Sequence, residues 1–347
     1  MPMHNINPGD KSYAFAKACG IIGKSFVGKR IKTLESVGKL SELDKMVFPD
    51  SFRDLPEKEL LINLENRIIS RTVNSIISIV KCFDNPPEFL ILLLRVYEYA
   101  DLKSAILSVF NKEAHPPTHT DLGNFQTLDF SKWPDITAML KNTEFSFLLK
   151  EKYFLEQKTV TIETALDIHY YKALWKSLFA LPGRDRAVTE RILSDEISLK
   201  NSCLALRLRT YYSMSAEKIK THLIDIQTGR AKHSLAADAV KSLRFPLDDF
   251  PAWSSWRWRK FLNTSSFELG SGLKHWQADP RYFQNAASRY LYRLAKKNFH
   301  FHTFSLDSIF CYIKLKLFEE DILTSVVEGL NMGMSSKDIF SMMGIEL

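Results

Sequence analysis

No stretch of this chain is apolar for long enough to cross a bilayer, which takes about eighteen residues. The longest run, FLILLL at Phe89 to Leu94, stops at Arg95, so a helical membrane span is excluded. Cysteine is scarce: Cys19, Cys82, Cys203 and Cys311 stand more than sixty residues apart, which argues against a disulfide framework or a paired-cysteine zinc site. We expect all four to be small buried hydrophobes in a reducing cytoplasm. The opening MPMHNINPGDKSY lacks the charged and apolar regions of a signal peptide, so no leader is expected. Paired carboxylates at an acid–base spacing are missing, and no Ser-His-Asp or Cys-His set is supported by its context, so no catalytic residue is assigned. His115 and His119 in HPPTH, and His300 and His302, show neither a helical i, i+4 arrangement nor a third ligand nearby. They read as loop and surface histidines, and no metal is expected.

What the chain does have is ordinary globular composition, with 45% hydrophobic and 25% charged residues over 347 positions, enough for two or three domains. Its formal charge of +7 is uneven, because residues 229–300 hold thirteen Lys or Arg against five acids. The same segment carries Trp253, Trp256, Trp258 and Trp276, four of the six tryptophans. Basic residues interleaved with aromatics, as in WSSWRWRK, would suit single-stranded nucleic acid or an anionic membrane surface. The simpler reading has Trp253 and Trp256 packing from one helix face while Arg257, Arg259 and Lys260 stay largely solvated. That reading is preferred, and no nucleic-acid partner is expected.

One motif asks for a nucleotide. ACGIIGKS, Ala18 to Ser25, fits the relaxed phosphate-loop pattern ending in Gly-Lys-Ser. A working phosphate loop needs a buried strand before it and a helix whose positive end follows it. The preceding NPGDKSYAFAKA has no apolar run and reads as a helix capped by Asp10 or Ser12, with Tyr13, Phe15 and Ala16 inward. No apolar run closes on an Asp that would hold Mg²⁺ either. The motif therefore reads as a basic helix end, and no cofactor is expected.

Helical periodicity runs nearly throughout. Leu61, Leu64, Ile68, Thr72, Ile76 and Val80 mark a long amphipathic helix closed by Pro86-Pro87. Further helices are predicted over 90–110, 162–181, 187–212, 281–299 and 306–330, with a last short one opening at Ser335 and Asp338 in the capping-box position. The fold class is all-α. The helices also repeat: Glu65, Glu163 and Gln284 open one helix of each set, and Asp101, Asn201 and Asp321 follow on the second at separations of 36, 38 and 37 residues. A repeat of this length is a small domain in itself. Three similar lobes are expected, at 1–115, 116–230 and 231–347, the third basic and Trp-rich.

These segments resemble the C subunit of V/A-type rotary ATPases (ATP synthases), the bacterial relative of the d subunit of eukaryotic V-ATPase, over almost the whole chain. SYAFAKACGIIGKSF is similar to the family's opening helix, with Tyr13 and Phe15 in its aromatic places. MLKNTEFSFLL matches Leu-x-x-Thr-x-Tyr-x-x-Leu with Phe145 in the Tyr place, IETALDIHYYKAL matches Glu-x-x-Leu-Asp-x-x-Tyr-Tyr, and LKNSCLALRLR keeps the Asn and two arginines of Asn-Leu-x-x-x-Arg-x-Arg. There are departures. RVYEYADLK has Glu98 and Asp101 where the family usually shows Asp and Asn, and EEDILTSVVEGL keeps an acid and Gly329 but lacks Asn-Leu-Arg.

The resemblance implies a three-lobed helical funnel with approximate three-fold internal symmetry. It would be a non-catalytic socket linking the central stalk, made of a coiled-coil D subunit and a small F subunit, to the proteolipid ring. Such a protein transmits torque between ATP turnover and H⁺ or Na⁺ movement, and lies peripherally on the cytoplasmic side of the membrane. The alternatives are a helical adaptor of another membrane assembly, or a nucleotide-binding enzyme using Lys24. Lys103, Arg207 and Arg209, which recur at similar places in two lobes, are candidate contacts with stalk or ring, with an intramolecular salt bridge as the competing reading. Arg257 and Arg259 are candidate contacts with the ring. Glu65, Glu163, Asp101 and Asn201 are expected to bond neighbouring helix ends or side chains, and His169, beside Tyr170 and Tyr171, to pack or satisfy a polar seam.

Overall fold

A computed structural model describes residues 6–52, 55–150, 159–228, 233–264, 267–269 and 273–345. Residues 1–5 of the opening stretch lie outside them. In chain order the α-helices are α1 (Pro8–Lys24), α2 (Leu40–Val47), α3 (Glu57–Val80), α4 (Glu88–Leu94), α5 (Val96–Phe110), α6 (Ile136–Leu140), α7 (Thr159–Leu178), α8 (Ala187–Tyr212), α9 (Ala216–Lys220), α10 (Ala237–Ser242), α11 (Pro280–Phe301), α12 (Leu306–Asn331) and α13 (Ser336–Met343). Short 3₁₀ turns join several of them. Among the described residues the extended structure is one small antiparallel ribbon, β1 (Phe267–Leu269) on β2 (Leu273–His275), and an isolated bridge. The class is all-α, as the periodicity predicts. No helix of the described residues is long and apolar enough to cross a membrane.

Local chemistry sets the helix ends. Helix α1 starts earlier than predicted: Asn7, rather than Asp10 or Ser12, is the N-cap and accepts the Gly9 N–H, with Pro8 preset for the first turn. Its buried face is Lys11, Ala14, Phe15 and Ala18, so of the residues expected inward Tyr13 is in fact 62% exposed and Ala16 faces out as well. The predicted helix over 90–110 is two, α4 and α5, separated by a turn at Arg95, whose Nε–H donates to the Phe125 carbonyl. The cap of α13 is as predicted: Ser335 accepts the Asp338 N–H and gives its hydroxyl proton to the Asp338 carboxylate. Helix α13 closes at Gly344, whose φ of 63° is the left-handed conformation that favours glycine.

The chain divides into two compact units. Unit 1 is Met1–Leu94, Leu181–Thr189 and Tyr292–Leu347; unit 2 is Arg95–Ala180 and Glu190–Leu291.

In unit 1, Leu60, Leu64 and Ile68 of α3 join Ile322, Leu323, Val326 and Val327 of α12, and Ile339 and Phe340 of α13, in one core. Fully burying each such side chain contributes about 1.5–3 kcal/mol. Gly329 lets α12 and α13 close, since a Cβ there would overlap Ile339 Cγ1 and Cδ1. The segment 181–189 is held by charge. Lys11 Nζ meets Asp185 Oδ2 at 2.9 Å, and Asp307 accepts the Thr189 N–H at 2.9 Å and the Thr189 hydroxyl at 2.6 Å. A carboxylate there also complements the positive end of α8.

In unit 2, α5 packs on α7, and a second core forms around Trp253, Trp256, Trp258, Trp276 and Phe283.

Candidate functional site

The phosphate-loop look-alike occupies the wrong end of a helix. Ala18 to Lys24 lie in the last turns of α1, so their N–H groups are spent on the helix ladder and the negative end of its dipole faces Lys24. Ser25, already extended, gives its hydroxyl proton to the Ile21 carbonyl and accepts from Lys316 Nζ at 3.2 Å. The next N–H, of Phe26, donates to Glu319 Oε1 at 2.6 Å. A buried carboxylate thus takes the donor that follows Gly-Lys-Ser, and a phosphate brought there would meet Glu319. Lys24 is exposed and, as the basic residue of the last turn, complements the helix end.

Ser25, Phe26, Lys316 and Glu319 form a buried network in unit 1. The Lys316 and Glu319 side chains are 1% and 2% exposed, and they bond each other within one turn of α12. Arg71 of α3 adds Nη2 at 3.7 Å from Glu319 Oε1, and Tyr312 donates to the Ser75 carbonyl at 3.2 Å. Burial pulls the Lys316 ammonium below the usual lysine range, with Glu319 acting in the opposite direction. The arrangement ties α1, α3 and α12 together.

The tryptophan segment is a core. Trp253 is 0%, Trp256 3%, Trp258 2% and Trp276 8% exposed, so their rings offer no platform for bases. Each indole N–H has an internal acceptor: the carbonyls of Pro246, Asp238 and Asn263 for Trp253, Trp256 and Trp276, and Ser198 Oγ for Trp258. Trp253 and Trp256 pack edge to face at 5.0 Å, as expected, although from a 3₁₀ turn rather than an α-helix.

The five cations named as candidate partner contacts lie in unit 2 and each engages a different neighbour. Lys103 Nζ meets Asp167 Oδ1 at 2.7 Å. Arg207 donates to Gln284 Oε1 at 2.6 Å, and Arg209 to the Ser242 carbonyl at 3.1 Å. Two residues apart on one helix point about 200° apart around its axis, which accounts for their separate partners. Arg257, with its side chain 48% exposed, bridges Asp195 at 2.5 Å and Asp238 at 3.4 Å and lies 4.2 Å from the Trp258 ring centroid. Arg259 lies over Phe250 at 4.5 Å.

The recurring polar residues do hold backbone in two of the three sets. Asn201 is buried; its amide accepts the Ile224 N–H and donates to the carbonyls of Ile224 and Leu235. Asp101 accepts the Thr120 N–H at 2.7 Å, and one turn earlier Glu98 takes the N–H groups of Thr127 and Leu128. Together with Arg95 they staple the segment after α5 back across that helix. The third set differs, since Asp321 is exposed on α12. Of the first-helix residues, Gln284 receives Arg207, Glu163 is exposed, and burial and then Glu328 raise the Glu65 carboxyl above the usual range.

Among the described residues no group of three or more His, Cys, Asp or Glu is arranged to hold a metal ion. His169 lies in an aromatic seam, as expected, with Tyr99 Oη 2.7 Å from its Nδ1 and Phe147 stacked at 4.6 Å. Burial lowers its pKa below the ordinary histidine value. The cysteines correct one expectation. None of the four is in a disulfide, but only Cys311 is buried; Cys82 and Cys203 are half-buried, and Cys19 is exposed because it faces away from the Ala14–Ala18 side of α1.

Comparison with known proteins places this architecture. A protein of Treponema pallidum (strain Nichols), described as an uncharacterized protein, is 28% identical over 330 residues, covering 92% of each chain. Residues 56–342, which include the tryptophan core and the α3 and α12 helices of the Glu319 network, match the family described as ATP synthase (C/AC39) subunit. The chain belongs to this family of ATP synthase (C/AC39) subunits, the one that holds the C subunit of V/A-type ATPases.

Proposed function

We propose that this chain is a non-catalytic central-rotor subunit of a V/A-type rotary ATPase, a socket that joins the central stalk to the proteolipid ring and carries torque between ATP turnover and ion translocation. The observation that carries the proposal is the family match over residues 56–342. The chemistry of the chain agrees with it. The Gly-Lys-Ser stretch is a helix C-terminus, and polar side chains within both units bond helix ends and loops of the same unit. Torque transfer needs helices that do not yield, and buried ionic and amide staples supply that.

The finer parts of the proposal are a three-lobed funnel divided at 1–115, 116–230 and 231–347, contact with the D and F subunits of the stalk on one side and the ring on the other, and a peripheral place on the cytoplasmic face. Arg207 and Arg257 are exposed enough to exchange their present partners for those of another polypeptide. The test is coupling. Native membrane vesicles depleted of this chain are expected to retain ATP hydrolysis on the detached catalytic sector and lose ATP-driven ion uptake, with recovery on adding the purified chain back. Undiminished uptake after complete depletion would overturn the proposal.

A further inference from the structure

Unit 2 contains a cleft of about 350 Å³ between α5 and the segment stapled across it. Asp101 and Ala105 form the α5 side; Pro116, Pro117, His119, Phe130 and Trp133 contribute to the other. That volume is at the lower end of ligand pockets, about 300–1,000 Å³, and admits one long side chain. The charge is the unusual feature. The protein carries +7, yet the lining residues include no Lys or Arg; of the two acids, exposed Asp129 is paired with Lys132 at 3.5 Å, which leaves Asp101. Asp101 spends one oxygen on the Thr120 N–H, and among the described residues no Lys or Arg forms an ion pair with it. Burial, reinforced by Glu98 and partly offset by hydrogen bonding to Thr120 and by His119, pushes its carboxyl above the usual range.

The aromatic groups are fixed in place. His119 stacks on Phe130 with ring centroids 4.8 Å apart, and the Trp133 indole N–H is anchored to Ser108 Oγ at 2.9 Å. A carboxylate beside pre-positioned flat rings matches a guanidinium, which is planar, hydrogen-bonds carboxylates and stacks on aromatic faces. The rim prolines sit on an exposed surface loop, the layout of a pocket that receives an anchor residue across an interface.

We propose that the Asp101–Trp133 cleft receives an arginine side chain of a partner polypeptide. Naming that partner as a neighbouring component of the ATPase rests on the function proposed above; the chemistry of the cleft does not.

The test uses the full chain, with the Trp133 indole N–H assigned by NMR through Trp133→Phe. Titration with N-acetyl-arginine-methylamide should shift that signal saturably in the millimolar range. The uncharged N-acetyl-citrulline-methylamide should bind at least tenfold more weakly. Asp101→Asn keeps an oxygen for the Thr120 N–H and should preserve Tm while weakening the arginine probe at least tenfold. The same variant, used as bait on gently solubilised membranes, should lose at least one polypeptide that the wild-type chain retains. No saturable shift, or equal binding of the citrulline probe, overturns the cleft as a guanidinium site. Probe binding with unchanged polypeptide recovery overturns the partner and leaves a free guanidinium compound as the occupant. Polypeptides that depend on Asp101 but are not part of the ATPase sink the assignment of the partner to that complex and leave the cleft standing.

Discussion

Replacing Glu319 by Gln would remove one charge from the buried network of unit 1 while keeping its shape. The Gln carbonyl still accepts from Phe26 N–H, so the perturbation falls on Lys316 and Arg71, which lose their common anion. Both members of the Lys316–Glu319 pair are nearly inaccessible, so water cannot replace the missing partner without opening the core. Removing one member of such a pair costs about 3–5 kcal/mol, whereas replacing both with uncharged groups of similar volume is often near neutral. Glu319→Gln and Lys316→Met are each expected to destabilise unit 1 by about that amount, a fall in Tm on the order of 10 °C. The double variant should recover most of the loss. All six tryptophans lie in unit 2, so intrinsic fluorescence would miss the effect. The readout is hydrogen exchange by mass spectrometry on α1, α3 and α12 peptides, beside the far-UV melting curve. Single variants within about 0.5 kcal/mol of wild type, or losses that simply add in the double variant, would refute the network as an energetic unit.

Three further outcomes follow from the geometry. Trp258→Ala should cost unit 2 about 3–5 kcal/mol in a denaturant titration, because a fully buried indole and its bond to Ser198 are both lost; a solvated stacking residue would cost almost nothing. Gly329→Ala should cost about 1–3 kcal/mol by forcing α12 off Ile339, read as a lower Tm, and the additional variant Ile339→Val should return part of it. His169 is held neutral by burial, so its folded pKa lies below that of the unfolded chain and the unfolded state takes up the proton first. Stability should therefore fall as pH drops below about 6.5, and the urea midpoint of His169→Gln should lose that part of the pH dependence.

Much of the fold is legible where the signal is local. The ends of α8 at Ala187 and Tyr212, the Ser335 cap and the packed tryptophans follow from periodicity, capping chemistry and indole size. The rejection of the phosphate loop is legible too, since it needs only the residues on either side. What escapes is long-range. Glu98 and Asp101 sit in the apolar stretch VYEYADL, and their donors come 19 to 30 residues later in a segment without periodicity. The buried acids are a signal that some partner must exist, but not of which one. Arg257 finds Asp195 62 residues upstream, which makes half of a supposedly solvated cation part of the core's edge. Tyr13 points outward because the buried face of α1 is Lys11, Ala14, Phe15 and Ala18, and the partner of Lys11, Asp185, is 174 residues away.

A place in a rotary ATPase, as the piece between shaft and ring, shows in what the chain binds. The most direct measurement is mass spectrometry of the polypeptides that co-purify with the tagged, full-length chain from gently solubilised native membranes. The expected result is the catalytic and central-stalk components of the ATPase together with the proteolipid, in one particle of defined size. A chain recovered repeatedly without any of them, from membranes in which the ATPase itself stays intact, would contradict it.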